Sequence, residues 1–255
     1  VVAEFPEYRG TPIIIGECDP EGLAALSSTV HPANGYRNGS AYAAYEAALM
    51  KHTIDLAERA GVNLRGVLTW AFLFEGKAYF EGFRTLATNG VAKPVLNVFR
   101  MLGRLTGRRV PLASDGARGA EAIIKEKVVG EPDIDGLAAA GSETTQVLVW
   151  NYHDDVAPAP AAAVRVDVKP PSRGFKRALV AHYRIDDAHS NAHTAWRAAG
   201  SPQAPSAAQL AALEKAGDLE RLEPDRDVDA TGGAIALDFV LPRHAVSLIE
   251  IRWVR

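Results

Sequence analysis

Thr11-Pro12-Ile13-Ile14-Ile15-Gly16-Glu17, followed by Cys18-Asp19-Pro20-Glu21-Gly22, decides the fold. Three consecutive isoleucines bounded by Pro and Gly read as a short strand buried on both faces, as in a parallel sheet. Glu17 closes that strand. A carboxylate at the C-terminal end of a parallel strand lies at the mouth of a barrel or open sheet, where ligands bind. The competing reading of this segment alone is an acidic strand end facing solvent.

Leu64 to Glu75, LRGVLTWAFLFE, reads as a second strand that carries Trp70 near its end and finishes on Glu75. Between the two lies YAAYEAALMKHTIDLAERAG, a helix with Ser40 as its N-cap and Gly61 as its stop. Tyr42, Tyr45, Leu49 and Leu56 recur near helical spacing on it. The order strand, loop, helix, strand is one βαβ unit with an acidic residue at each strand end. Two carboxylates and an indole on one rim suit sugar chemistry, with acids for catalysis and a ring face for a pyranose.

The bulk composition narrows the class. With 255 residues, 47% hydrophobic and 23% charged, the chain is an ordinary globular protein of one large domain or two modest ones. A net charge of −3 gives no electrostatic case for nucleic acid or an anionic membrane. No apolar stretch approaches the roughly 20 residues that span a bilayer. The single cysteine, Cys18, excludes an intrachain disulfide and favours a cytoplasmic setting. The chain opens on Val1 without a signal-peptide pattern, so the expectation is that it begins inside a longer protein.

Residues 18–39 form a polar loop longer than a usual βα connection, the kind that helps to build a site at a barrel rim. Asn89-Gly90 marks a turn, and Pro94 suits the first position of a helix that buries Val95, Leu96, Phe99 and Leu102 and ends near Gly103. Beyond Gly107 the texture changes. Strands are expected at Gln146 to Tyr152, Ala163 to Val168, Phe175 to Ile185, Ile235 to Leu241 and Val246 to Val254, with one helical insertion from Ser206 to Ala216. This is the pattern of an antiparallel β-sandwich.

Four stretches carry a resemblance: PIIIGECDPEG at 12–22, TWAFLFEGKAYFEGFRTLATNGVAKPVLNVFRMLGRL at 69–105, VLVWNYHDD at 147–155, and HYRIDDAHSNAHTAWRAAGSPQAPS at 182–206. Together they resemble the C-terminal half of a family 39 glycoside hydrolase, the family of β-xylosidases and α-L-iduronidases. The resemblance implies an α/β plus all-β chain. Residues 1–105 would be the C-terminal portion of a (β/α)8 barrel, strands seven and eight, and residues 106–255 an accessory β-sandwich. It implies that Glu17 is the catalytic nucleophile. Trp70 and Glu75 would line the sugar subsite, and Phe80 and Phe83 would wall it. The family's acid/base glutamate lies in an Asn-Glu-Pro stretch after strand four, and no such tripeptide occurs here. The acid/base is therefore expected outside this chain.

Other side chains are weighed on their surroundings. Pro20 separates Asp19 from Glu21, which favours a solvated loop over a metal site. Cys18 reads as a packed small residue. His31 is a candidate to reach substrate from the long loop, and Arg37 is expected to tie that loop down. His52 is expected on the helix surface, and Trp150, Tyr152 and His153 on a strand packed against the core. His182, His189 and His193 have no acidic partner motif, so no metal is expected, and no cofactor. Asn191 is expected to organise a turn.

The leading functional expectation is a retaining glycosidase that releases xylose from the non-reducing end of β-1,4-xylo-oligosaccharides. One alternative is an α-L-iduronidase-like glycosidase, which would need cations for the sugar carboxylate, with Arg84 and Lys77 nearby in sequence. Another is a non-catalytic fragment serving as a structural or carbohydrate-binding module. The expected partners are the xylo-oligosaccharide and the remaining barrel strands, from the same or another chain. A sandwich of this kind can also mediate a homo-oligomer.

Overall fold

In the computed structural model, which describes residues 4–18, 20, 22–23, 25–69 and 71–255, β1 (Ile13–Ile15) pairs in parallel with β2 (Leu64–Val67). Helix α1 (Ser40–Arg59) connects them, so the βαβ unit is present. Two details differ from expectation. Ile13 and Ile14 are 40% and 62% exposed, so β1 is not buried on both faces. Among the described residues β2 is the one strand that pairs with it. Strand β2 also stops at Val67, well short of Glu75.

The helix start differs too. Gly39 occupies the N-cap and Ser40 is already helical, its hydroxyl donating to Asp187 Oδ1 at 3.4 Å. Leu56, expected on the buried face, is exposed, and His52, expected on the surface, is buried. Tyr42 is fully buried as its spacing implies, and Ala43, Ala44, Ala47 and Ala48 form the stripe that meets the sheet. Small side chains let the helix lie close to a sheet.

After β2 comes a hairpin of β3 (Ala87–Thr88) and β4 (Val91–Ala92). Its turn is Asn89-Gly90, with φ of +45° and +85°, the left-handed pair that a tight hairpin requires. Pro94 opens α2 (Pro94–Leu102), and Gly103 ends it. The second half contains β5 (Arg108–Val110), α3 (Ala120–Glu126), β6 (Asp133–Ala140), β7 (Thr144–Tyr152), β8 (Ala162–Val168) and β9 (Arg177–Ile185). Next are α4 (Ala192–Ala198), α5 (Ala207–Ala216), β10 (Glu220–Arg221), β11 (Arg226–Asp229), β12 (Ile235–Leu241) and β13 (Val246–Val254). The order β10-β9-β13-β7-β6-β5, with β11 on β9, makes a seven-stranded antiparallel sheet, and β8 pairs with β12.

Side-chain alternation then builds three layers. On β7 and β13, Val147, Val149, Ile249 and Ile251 face β8 and β12, meeting Val168, Ile235, Leu237 and Leu241. Leu148, Trp150, Val246 and Leu248 face the other way, against the α1 alanines and Val98 and Met101 of α2. One core therefore joins the helices of the first half to the sheet of the second.

A buried polar cluster fixes that contact. Asp133 on β6 accepts from Trp150 Nε1 at 3.0 Å and from the Arg118 backbone N–H at 2.9 Å, and meets His52 Nε2 at 3.2 Å. Burial alone would raise the Asp133 carboxyl, but donation from His52, Trp150 and Arg118 outweighs it and holds it below the usual carboxylate range. Next to it, Asp135 takes the Lys51 ammonium and the Gly136 N–H. His52, Asp133 and Asp135 lie close enough to hold a cation. Their oxygens are instead occupied by protein donors that pin α1 to the sheet.

Candidate active site

Glu17 lies two residues past the end of β1, and its side chain is 59% exposed. The Arg84 guanidinium, rooted at a side chain only 7% exposed, reaches its Oε2. A permanent cation thus sits against the carboxylate at the mouth of the parallel pair, joining the segment after β2 to the end of β1.

The loop following β1 is tied down from within. His31 precedes a 3-10 helix, Pro32–Asn38, that lies between the loop and α1. Asn34 Nδ2 donates to Leu23 O at 2.9 Å and Leu26 O at 2.8 Å, and Arg37 Nη1 donates to Leu23 O at 3.3 Å. Arg37 therefore has the anchoring role expected of it. His31 is half-buried, its backbone N–H bonded to Ser27 O at 2.8 Å.

The loop following β2 is latched to the first. Asn38 Nδ2 donates to Phe80 O at 2.6 Å, while its Oδ1 accepts from the Gly82 N–H at 2.9 Å. The Ser28 N–H donates to Glu81 O. Gly82 has φ of +75°, and a Cβ there would lie 2.7 Å from Asn34 O. Only glycine permits the two backbones to approach so closely. This interlock has no sequence signature that a single chain could reveal, because an asparagine in a polar loop is unremarkable.

The other expected site residues that the structure describes each have surroundings of their own. Glu75 is exposed in a turn eight residues beyond β2. Phe80 is 4% exposed, and its ring packs 5.1 Å from Trp196 and 5.2 Å from His193. It belongs to a small cluster with Val91, Ala192 and Leu213. The cavity beside Phe80 and Phe83 holds about 10 Å³, too little for a sugar ring. Trp70, Asp19 and Glu21 lie outside the described residues. Cys18 is half-buried.

His182, His189 and His193 go separate ways. His182 Nε2 bonds Ser247 Oγ at 2.9 Å, His189 Nδ1 meets Asp186 Oδ1 at 2.9 Å, and His193 stacks on Trp196. Burial, then the Arg184 and Arg226 charges, push His182 down to about 3. Burial, then the Arg197 and Lys93 charges, push His193 down to about 4. Asn191 caps α4 through the Thr194 N–H and donates to Asp186 O, the turn-organising role expected of it.

Residues 1–233 match the family model of glycosyl hydrolases family 39, and the chain belongs to that family. A β-xylosidase of Caldicellulosiruptor saccharolyticus is 24% identical over 217 residues, 82% of this chain and 40% of that protein. Among solved structures, a monomeric β-xylosidase from Caulobacter crescentus CB15 has a TM-score of 0.68 at 18% identity, covering 96% of this chain and 46% of that one. A bacterial orthologue of human α-L-iduronidase has a TM-score of 0.73, also at 18% identity, covering 98% of this chain and 43% of that one. These structural likenesses concern the fold. The chain spans less than half the length of each relative.

Proposed function

We propose that this chain carries the nucleophile half of a retaining glycosidase, with Glu17 as the nucleophile. The observation that carries this reading is the carboxylate just beyond a parallel strand, exposed toward the rim and held by a rooted guanidinium. Strands β1 and β2 are taken as strands seven and eight of a (β/α)8 barrel, with residues 106–255 as the accessory sandwich. The partner for the open side of β1 is then another barrel strand, whose arrival would cover Ile13 and Ile14 and pair the free edge.

In the first step a Glu17 carboxylate oxygen attacks the anomeric carbon and the bond to the leaving oxygen breaks, giving a glycosyl ester. An acid outside this chain, about 5–5.5 Å from Glu17 as retaining enzymes require, protonates the departing oxygen. As its conjugate base it then takes a proton from water, which opens the ester and returns Glu17. Arg84 fixes the direction in which the carboxylate points. Trp70, Glu75 and His31 are assigned to the sugar, with Phe80 supporting the loop wall behind them.

The substrate assigned is a β-1,4-xylo-oligosaccharide, cleaved at its non-reducing end, in line with the β-xylosidase relative. A specific observation favours a second reading. Arg84 brings to the rim the cation that a uronate carboxylate needs, which supports an α-L-iduronidase-like activity. Assay of the full-length protein on p-nitrophenyl β-D-xyloside and on 4-methylumbelliferyl α-L-iduronide decides between them. Preference for the xyloside supports the first reading, and preference for the iduronide the second. Hydrolysis of neither, nor of other glycosides, would remove the enzymatic reading.

A further inference from the structure

We propose that Lys93 is a positioning residue that holds Arg84 against Glu17, an inference that rests on Glu17 being the nucleophile. Lys93 stands immediately before Pro94 at the start of α2, and is 1% exposed. A lysine so buried is costly unless its ammonium is hydrogen-bonded. Its Nζ donates to Phe83 O at 2.8 Å and lies 3.4 Å from Thr85 Oγ1, the two residues that flank Arg84.

Phe83 O accepts a second bond, from the Thr85 N–H at 2.8 Å, which closes a three-residue turn with Arg84 at its apex. The Arg84 carbonyl accepts from the Ala71 N–H at 3.3 Å, and the Lys93 backbone N–H donates to Leu86 O at 3.0 Å. Both sides of Arg84 are thus tied to the first turn of α2. That helix is itself fixed, by Val98 and Met101 in the core and by Asn97 Nδ2, which donates to Gly217 O at 2.9 Å. A continuous path runs from the sheet core through α2 and Lys93 to the root of Arg84, and from its guanidinium to the Glu17 carboxylate. In this path Lys93 acts through its bonds to Phe83 O and Thr85 Oγ1, the residues on either side of Arg84.

A double-mutant cycle in the full-length protein separates this role from a general packing role. The variants are Lys93→Met, Arg84→Met, the two combined, Lys93→Arg and Glu17→Gln, with kcat and KM measured on whichever glycoside the protein hydrolyses. Lys93→Met is expected to lower kcat by about 10²-fold, the effect of a misplacement of about 1 Å. KM is expected to move less than about 3-fold, since the lost contact matters for attack rather than for sugar binding. In the Arg84→Met background the same change costs less than about 3-fold, and Lys93→Arg recovers most of the activity. An equal loss in both backgrounds, or no loss in Lys93→Met, overturns the proposal. Glu17→Gln tests the underlying reading separately, because retained activity there removes Glu17 whatever Lys93 does. Should Lys93→Met fail to fold, Thr85→Val reads the same coupling. Its loss of about 5-fold must then vanish in the Arg84→Met background, and persistence there overturns the proposal.

Discussion

Arg84 and Glu17 form an asymmetric pair, with the guanidinium rooted at a side chain 7% exposed and the carboxylate 59% exposed. An ion pair with one member so open to water contributes about 0–1 kcal/mol to folding. Its consequence is directional: the buried member sets where the exposed member points. In the full-length protein, Glu17→Gln is therefore expected to lower kcat by at least about 10³-fold while leaving the thermal midpoint nearly unchanged. Steady-state kinetics and calorimetry on the same preparation check both halves of that statement.

The interlock between the two rim loops predicts a stability effect at a residue with no side chain. Gly82→Ala places a Cβ 2.7 Å from Asn34 O at a φ of +75°. The expected cost is about 1–3 kcal/mol, read as a shift in the urea midpoint. Asn38→Ala removes the bonds to Phe80 O and the Gly82 N–H and is expected to cost a similar amount. Because the two changes disrupt one contact, their combination should fall short of the sum.

Asp133 predicts a larger loss. Asp133→Ala strands Trp150 Nε1, His52 Nε2 and the Arg118 N–H in the contact between α1 and the sheet. Removal of a buried charged acceptor costs about 3–5 kcal/mol, and denaturant unfolding should show it. Asp133→Asn keeps an acceptor for Trp150 and should cost less.

Acid sensitivity follows from two imidazoles, His182 and His193, that desolvation pushes well below the ordinary value. His182 and His193 titrate near 3 and 4 in the folded chain, against 6.5 for ordinary histidine. Between pH 6.5 and about 4 the unfolded chain binds more protons than the folded one, so stability falls as pH falls and is fully present above that window. The slope approaches about 1.4 kcal/mol per pH unit for each fully shifted group. His193→Asn should flatten the dependence between pH 6.5 and about 4, which urea midpoints at several pH values would reveal.

Much of this architecture is legible in the sequence where side chains are β-branched or aromatic. Val147 to Trp150, Val164 to Val168 and Leu248 to Trp253 lie in strands β7, β8 and β13, as expected of an apolar run in the first and of alternation in the other two. Pro94 and Ser206 announce their helices, the latter through a capping box with Gln209. Strand β6 escapes such reading because DIDGLAAA has the composition of a loop or helix. It is a strand because β5 and β7 pair with it on either side and Gly136 allows Leu148 O to approach within 2.4 Å of a would-be Cβ.

The site is less legible. Ile13 to Ile15 and Leu64 to Val67 form the parallel pair that ends near Glu17, but the run to Glu75 was cut short at Val67. Apolar residues beyond it, such as Phe74 and Phe83, pack on each other across the loop, their rings 5.2 Å apart, rather than extend the strand. Phe80 turned inward to Trp196, a contact made across more than a hundred residues of chain. Arg84 and Lys93 carry no local pattern that distinguishes them from surface cations. Their burial is a tertiary property.

The most direct test of the central claim is covalent trapping. The full-length protein would be incubated with 2,4-dinitrophenyl 2-deoxy-2-fluoro-β-D-xyloside, and with the corresponding 2-fluoro iduronide, and the labelled peptide located by mass spectrometry. The account predicts a glycosyl ester on Glu17, formed with one of the two reagents and absent in Glu17→Gln. A label on any other carboxylate, or steady turnover of glycoside with no trapped ester, would contradict it.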